Sequence, residues 1–144
     1  MGPVFLVHLA TTLAMVGVIW VVQVVHYPLF AGVGADGWNA YEAAHQATIT
    51  RVVAPLMVAE LATAVWLVLD RPAALPAWAV AAGAALVGLI WASTAFVQVP
   101  LHTALGRAFD TDVHARLVAT NWIRTTLWTV RGGLVLWMTS RLSA

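Results

Sequence analysis

Two long stretches of this sequence contain no charged residue, and they constrain the fold more than any other feature. The first lies between Met1 and Asp36, and the second lies between Arg71 and Arg107. Each is longer than the roughly 20 apolar residues that a helix needs to cross the hydrocarbon core of a bilayer. A helix also satisfies its own backbone hydrogen bonds, which lipid cannot do. The pattern therefore predicts membrane-spanning helices.

The composition of the whole chain favours the same environment. Hydrophobic residues make up 62% of the 144 residues and charged residues make up 9%, whereas a soluble domain carries about 25% charged residues. So few charges cannot cover a surface in water, which excludes a soluble globular enzyme, and the high hydrophobicity excludes a disordered chain. A net charge of +1 provides no basic surface for nucleic acid. We expect an integral membrane protein of a bacterial cytoplasmic membrane, in contact with lipid.

Several kinds of chemistry are absent from the sequence. The chain has no cysteine, which excludes disulfides, thiolate metal sites and a cysteine nucleophile. It also has no lysine, which excludes a Schiff base with retinal or pyridoxal phosphate. The phosphate-binding glycine loop and the H-E-x-x-H and G-x-S-x-G motifs are missing as well.

The apolar pattern predicts an all-α fold, a single four-span domain over residues 1–144 built as an antiparallel four-helix bundle. The predicted helices cover residues 3–27, 41–69, 77–99 and 113–141. We expect Pro100 to end the third helix and a polar pocket to open towards the longer loops, at residues 28–40 and 100–112. Residues 47–51 resemble residues 119–124, which a duplicated helical hairpin explains; chance similarity between apolar helices is the alternative.

Each predicted helix carries polar residues on one face, which predicts a shared polar interior because polar groups that face lipid are costly. The residues that we expect in this interior are Gln23 and His26, His45 and Glu60, Gln98 and His102, and Asn121, Arg124 and Arg131.

Glu60 and Arg131 lie at matching depth near the centre of the predicted bilayer. An isolated charge at this depth costs about 2.5–3.5 kcal/mol on insertion scales, so we expect the two side chains to form an ion pair. Two interpretations stay open: a structural pair that fixes the helix register, and a functional pair.

A bound cofactor is a further hypothesis. We expect Gln23, Gln98, His45, Glu60 and Arg131 to be its contacts, and the sequence leaves the identity of the cofactor and any metal open. One haem held by His26 and His102 is compatible with the sequence; histidines that only solvate the helix ends are the alternative.

The second half of the chain carries two recognisable segments, Val97-Gln98-Val99-Pro100-Leu101-His102 and Asn121-Trp122-Ile123-Arg124-Thr125. They resemble the V-P-L-N-x-x-L and W-N-x-x-R-T segments of a small four-helix membrane family of unknown function that includes the anthrone oxygenases. This chain has His102 where the family has asparagine. The resemblance implies a four-helix membrane fold and oxygenation of a ring substrate without a bound metal or flavin.

Two classes of function fit these observations, and the sequence does not decide whether the protein is an enzyme. The first is an oxygenase-like redox enzyme for a lipophilic aromatic or quinone-like substrate. His102 or His26 is then the general base, and Arg124 and Asn121 stabilise the oxyanion. The second is a non-enzymatic small subunit, in a homo-oligomer or a larger membrane complex, that binds haem, a metal or a quinone. A proton-coupled transporter, which rests on Glu60 alone, is a third alternative.

Overall fold

The computed structural model describes residues 1–143 and contains only helices and short connections over that range. The first helix packs against the second and the fourth, and the third helix also packs against the second and the fourth. The four long helices are Pro3–Gly32, Ala35–Leu69, Ala77–Leu105 and Thr111–Ser143. The predicted all-helical fold with four helices is therefore confirmed.

The first three helices are long and apolar enough to cross a membrane. The fourth helix, which carries Arg116, Arg124 and Arg131, does not belong to this set. Its role as a fourth span stays a prediction.

Three helices extend further than predicted at one end of the molecule. The first continues to Gly32 instead of residue 27, the second begins at Ala35 instead of residue 41, and the third continues to Leu105 instead of residue 99. Only residues 33–34 separate the first two helices, and Gly34 there has φ of 78°, a left-handed conformation that glycine adopts without steric strain. The predicted long loops at 28–40 and 100–112 are wrong, since most of their residues are helical.

The first and third helices are longer because the backbone widens locally before a proline in each of them. The segments Val22–His26 and Thr94–Gln98 are π-helical, and Pro28 and Pro100 each lie two residues beyond such a segment. Proline has no N–H to donate, and its ring clashes with the carbonyl group one turn earlier in a regular α-helix. A π turn moves this carbonyl away, so the helix continues. The prediction that Pro100 ends the third helix is therefore wrong.

Many polar side chains are buried together with the apolar core, and many large apolar side chains lie on the outside. Gln98, Asn121 and Arg131 are at most 1% exposed, whereas Leu69 and Phe96 are 79% and 80% exposed. At the end where the first and second helices meet, Trp38 is buried and donates from Nε1 to the carbonyl oxygen of Leu105 at 2.7 Å. This hydrogen bond joins the start of the second helix to the end of the third.

Candidate functional site

A cavity of about 180 Å³ lies among the four helices, and its wall is apolar over most of its area. Its polar lining residues are Tyr27, His45, Gln46, Thr50, Thr94, Gln98, His102, Thr103 and Arg124. The lining residues Thr50, Val99 and Thr103 are also exposed on the outside of the molecule. The cavity therefore reaches the outside between the second and third helices, beside a groove that Gly106 and Arg107 also line. The expected opening on the side of the loops stays a prediction.

A continuous chain of hydrogen bonds forms the polar end of this cavity. His102 Nδ1 lies 2.7 Å from Glu42 Oε1, and His102 Nε2 lies 2.9 Å from the hydroxyl oxygen of Tyr27. Arg124 Nη2 donates to the same hydroxyl oxygen at 3.3 Å. Glu42 is fully buried, and the His102 side chain is 14% exposed.

The direction of the hydrogen bonds follows from the donor inventory of these side chains. An ionised Glu42 only accepts, so a neutral His102 carries its proton on Nδ1 and accepts at Nε2. The Tyr27 hydroxyl then donates to Nε2 and accepts from Arg124, which has only donors. In this arrangement a carboxylate orients a histidine, and the histidine accepts a hydrogen bond from a hydroxyl group. A general base and its positioning group are arranged in the same way.

Asn121 holds the Arg124 guanidinium in place. Asn121 Oδ1 accepts from Arg124 Nε at 2.9 Å, and Asn121 Nδ2 donates to Gln23 Oε1 at 2.8 Å. Gln23 also donates from Nε2 to the carbonyl oxygen of Val118 at 3.2 Å. The structure therefore brings His102, Arg124, Asn121 and Gln23 into one network, although Asn121 and Gln23 do not line the cavity.

Two polar groups in the cavity have hydrogen-bonding capacity to spare. Arg124 Nη1 has only a 3.5 Å contact with Thr94 Oγ1. Gln98 donates from Nε2 to Thr120 Oγ1 at 3.1 Å, but its Oε1 has no partner among residues 1–143. Arg124 therefore has donor capacity left for a ligand in the cavity.

His26 and His45 are neighbours, and only His45 lines the cavity. His26 Nε2 lies 2.8 Å from His45 Nδ1, and His26 lines a groove on the outside of the first and second helices. The ring centroid of His45 lies 4.7 Å from that of His26 and 5.3 Å from that of His102. The His45 ring leaves no room for a porphyrin, so His26 and His102 do not form an axial pair for haem.

The Glu60–Arg131 ion pair is present, and it belongs to a separate buried network. Glu60 Oε1 accepts from Arg131 Nε at 2.7 Å and from Thr12 Oγ1 at 2.9 Å, and Glu60 Oε2 accepts from Trp128 Nε1 at 3.1 Å. Arg131 also contacts His8 Nε2 at 2.9 Å and donates to the carbonyl oxygen of Gly83. This network connects all four helices, and neither Glu60 nor Arg131 lines the cavity. The geometry favours the structural interpretation of the pair.

Sequence reasoning missed two residues of the site, Glu42 and Tyr27. Glu42 lies at the predicted start of the second helix, where a charged side chain is normally solvated. Tyr27 lies at the predicted end of the first helix. The signal that identifies Glu42 is its spacing from His45, because residues i and i+3 share one face of a helix.

Comparisons with protein-family models, with curated proteins and with solved structures found no match for this chain. The resemblance to the family of the anthrone oxygenases therefore rests on its motif residues alone.

Proposed function

We propose that this protein is an integral membrane protein whose four helices surround a binding cavity for a small lipophilic molecule. Three helices have the length and apolarity of membrane spans. The large exposed side chains include Leu6, Val58, Val65, Leu89 and Phe96. A surface of this kind is typical of contact with lipid, where polar groups are turned inwards.

Within this class, we propose an oxygenase-like enzyme that removes a proton from an aromatic or quinone-like ring and stabilises the resulting oxyanion. The observation that carries this proposal is the directed chain Glu42–His102–Tyr27–Arg124 at the end of an apolar cavity. A cavity of about 180 Å³ is of the size that holds a small aromatic molecule, since an apolar cavity of about 150 Å³ binds benzene.

The chemistry of the proposed proton transfer follows from the hydrogen-bond directions. The substrate proton passes to the Tyr27 hydroxyl while the hydroxyl proton passes to His102 Nε2. Glu42 stabilises the imidazolium that forms, and Arg124 faces the negative charge that develops on the ring oxygen. Fixed donors aimed at a developing charge in a site without water are usually the largest contribution to catalysis. In this scheme His102 is the base and Asn121 is a positioning residue, while His26 lies outside the cavity.

Anthrone is the probe that the family resemblance suggests. Dioxygen converts the ring CH₂ of anthrone to a carbonyl group, and the second oxygen atom leaves as water. The full chain in detergent should convert anthrone to anthraquinone faster than a protein-free blank does. Arg124→Lys should lower the rate by about 10²–10³-fold, because lysine cannot reproduce the forked donor geometry.

Matched variants make this experiment specific. Arg51→Lys changes an exposed arginine and should leave turnover unchanged. Tyr27→Phe should lower turnover, whereas Tyr41→Phe should not, because Tyr41 does not line the cavity. Wild-type rates in both Arg124→Lys and Tyr27→Phe would refute the proposed site. Folded wild-type protein that leaves anthrone unchanged would refute the proposed reaction.

The alternative function is a non-enzymatic subunit of a larger membrane complex that binds a metal or a quinone. The observation that favours it is a group of three possible metal ligands, Glu42, His45 and His102, beside the cavity. In this case the folded protein binds its ligand but does not turn over anthrone.

A further inference from the structure

Glu42, His45 and His102 form a compact group of side chains with metal-ligating atoms. One such atom from each residue lies within 4.8 Å of the others. The proposed proton transfer uses Glu42 and His102 but gives His45 no role.

Two buried atoms of this group lack hydrogen-bond partners. Glu42 Oε2 and His45 Nε2 have none among residues 1–143, although Glu42 is 0% exposed and His45 is 6% exposed. Most buried polar atoms in proteins are hydrogen-bonded, and each exception requires an explanation. A carboxylate oxygen and an imidazole nitrogen left without partners at neighbouring positions are typical of metal ligands.

The other nitrogen of each histidine is already held by a neighbour. His45 Nδ1 lies 2.8 Å from His26 Nε2, and His102 Nε2 lies 2.9 Å from the Tyr27 hydroxyl oxygen. In metal sites the ligating histidine almost always uses its second nitrogen in this way, which fixes the orientation of the ring. His26, which lies outside the cavity, then has a role as the partner that orients His45.

The backbone fixes the relative positions of the three ligands. Glu42 and His45 are three positions apart on the second helix, a Glu-x-x-His spacing that places both on one helical face. Gln46, one turn after Glu42, donates from Nε2 to Glu42 Oε1 at 3.1 Å and to the carbonyl oxygen of His102 at 3.3 Å. The second and third helices are thus joined at the level of the group.

We propose that Glu42, His45 and His102 bind one divalent first-row transition-metal ion. Two imidazole nitrogens and one carboxylate are a ligand set found for Zn²⁺ and for non-haem Fe²⁺. In sites of either metal this set leaves coordination positions open. His45 and His102 line the cavity, so the open positions face a bound molecule. The ion takes the place of the proton that Glu42 and His102 share. A neutral His102 then carries its proton on Nε2 and donates to the Tyr27 hydroxyl. The metal-bound form is therefore an alternative to the form in which His102 acts as the base. This inference goes beyond the proposed enzyme, because metal binding does not require turnover, and it deepens the alternative function by naming the class of ion.

The test is a titration of the full chain in detergent, after treatment with a chelator, with Co²⁺ as the spectroscopic probe. Wild-type protein should bind about one Co²⁺ per chain, with visible absorption bands typical of nitrogen and oxygen ligands. Glu42→Gln and His45→Gln should weaken binding by more than the roughly 10–100-fold that the loss of an outer partner causes. His114→Gln is the matched control, because this histidine lies at the same end, outside the metal-ligand group, and its Nε2 lies 2.8 Å from the carbonyl oxygen of Tyr27.

A second measurement covers variants that fold poorly. Zn²⁺ should raise the Tm of the wild-type protein and of His114→Gln, because an ion that binds only the folded state stabilises it. Absence of Co²⁺ and Zn²⁺ binding by folded wild-type protein overturns the inference, and so does undiminished binding by folded Glu42→Gln and His45→Gln. Either result leaves the effects of Arg124→Lys on turnover intact, so failure of the metal site and failure of the proposed enzyme are distinguishable.

Discussion

Replacing Glu60 by glutamine should destabilise this protein more than any change to an exposed charge. Glu60 accepts three hydrogen bonds, from Arg131, Thr12 and Trp128. Arg131 is 0% exposed, so its charge cannot be hydrated when its partner is neutralised. The glutamine amide group also directs N–H donors towards groups that are themselves donors.

The magnitude follows from the burial of the pair. Removing one partner of a buried ion pair costs about 3–5 kcal/mol, which corresponds to a fall in Tm of about 6–20 °C at roughly 2–4 °C per kcal/mol. The double variant Glu60→Gln/Arg131→Met removes both charges, and replacing a whole buried pair is often close to neutral. We therefore expect the double variant to be more stable than Glu60→Gln alone.

Thermal unfolding of the detergent-solubilised protein, followed by circular dichroism, measures this difference. Asp70→Asn is the control, because it neutralises an exposed carboxylate at the end of the same helix. Its Tm should change by little. If the losses of stability from Glu60→Gln and Arg131→Met add in the double variant, the two charges are not coupled and the reasoning is wrong.

Two further predictions concern helix packing and topology. Gly132→Ala places a Cβ atom 2.9 Å from a side-chain carbon on the first helix and should lower the free energy of unfolding by about 1–3 kcal/mol. In Gly133→Ala the new Cβ atom meets open space, so this variant should not destabilise the protein. Equal Tm values for the two variants would contradict this packing. In intact membranes, cysteines that replace Asp36 and Arg107 should react with an impermeant thiol reagent from the same side, and a cysteine that replaces Ala73 from the other. Labelling of the first two from opposite sides would disprove the four-span arrangement.

The sequence by itself determined the helices and the existence of a polar interior. Charge-free runs such as the one between Arg71 and Arg107 are a local property, and each is long enough for a helix that crosses a bilayer. The pairing of Glu60 with Arg131 was predictable for the same reason, because two buried opposite charges at one depth have few other partners. His102, Arg124 and Asn121 were also identified correctly as neighbours.

The helix ends depended on a feature that composition does not show. Pro28 and Pro100 predict helix ends by their usual behaviour, but the π-helical segments before them allow both helices to continue. The connections after the first and third helices are shorter as a result.

The remaining features depend on how each helix is rotated about its axis. Glu42 contacts His102 across 60 positions of sequence, and Tyr27 contacts Arg124 across 97 positions. Such contacts form only when two helices present particular faces to each other, and a rotation by one residue, about 100°, would separate them. The tertiary structure alone therefore decided that Tyr27 and Glu42 join the site, that His26 lies outside the cavity, and that Glu60 and Arg131 belong to a separate network.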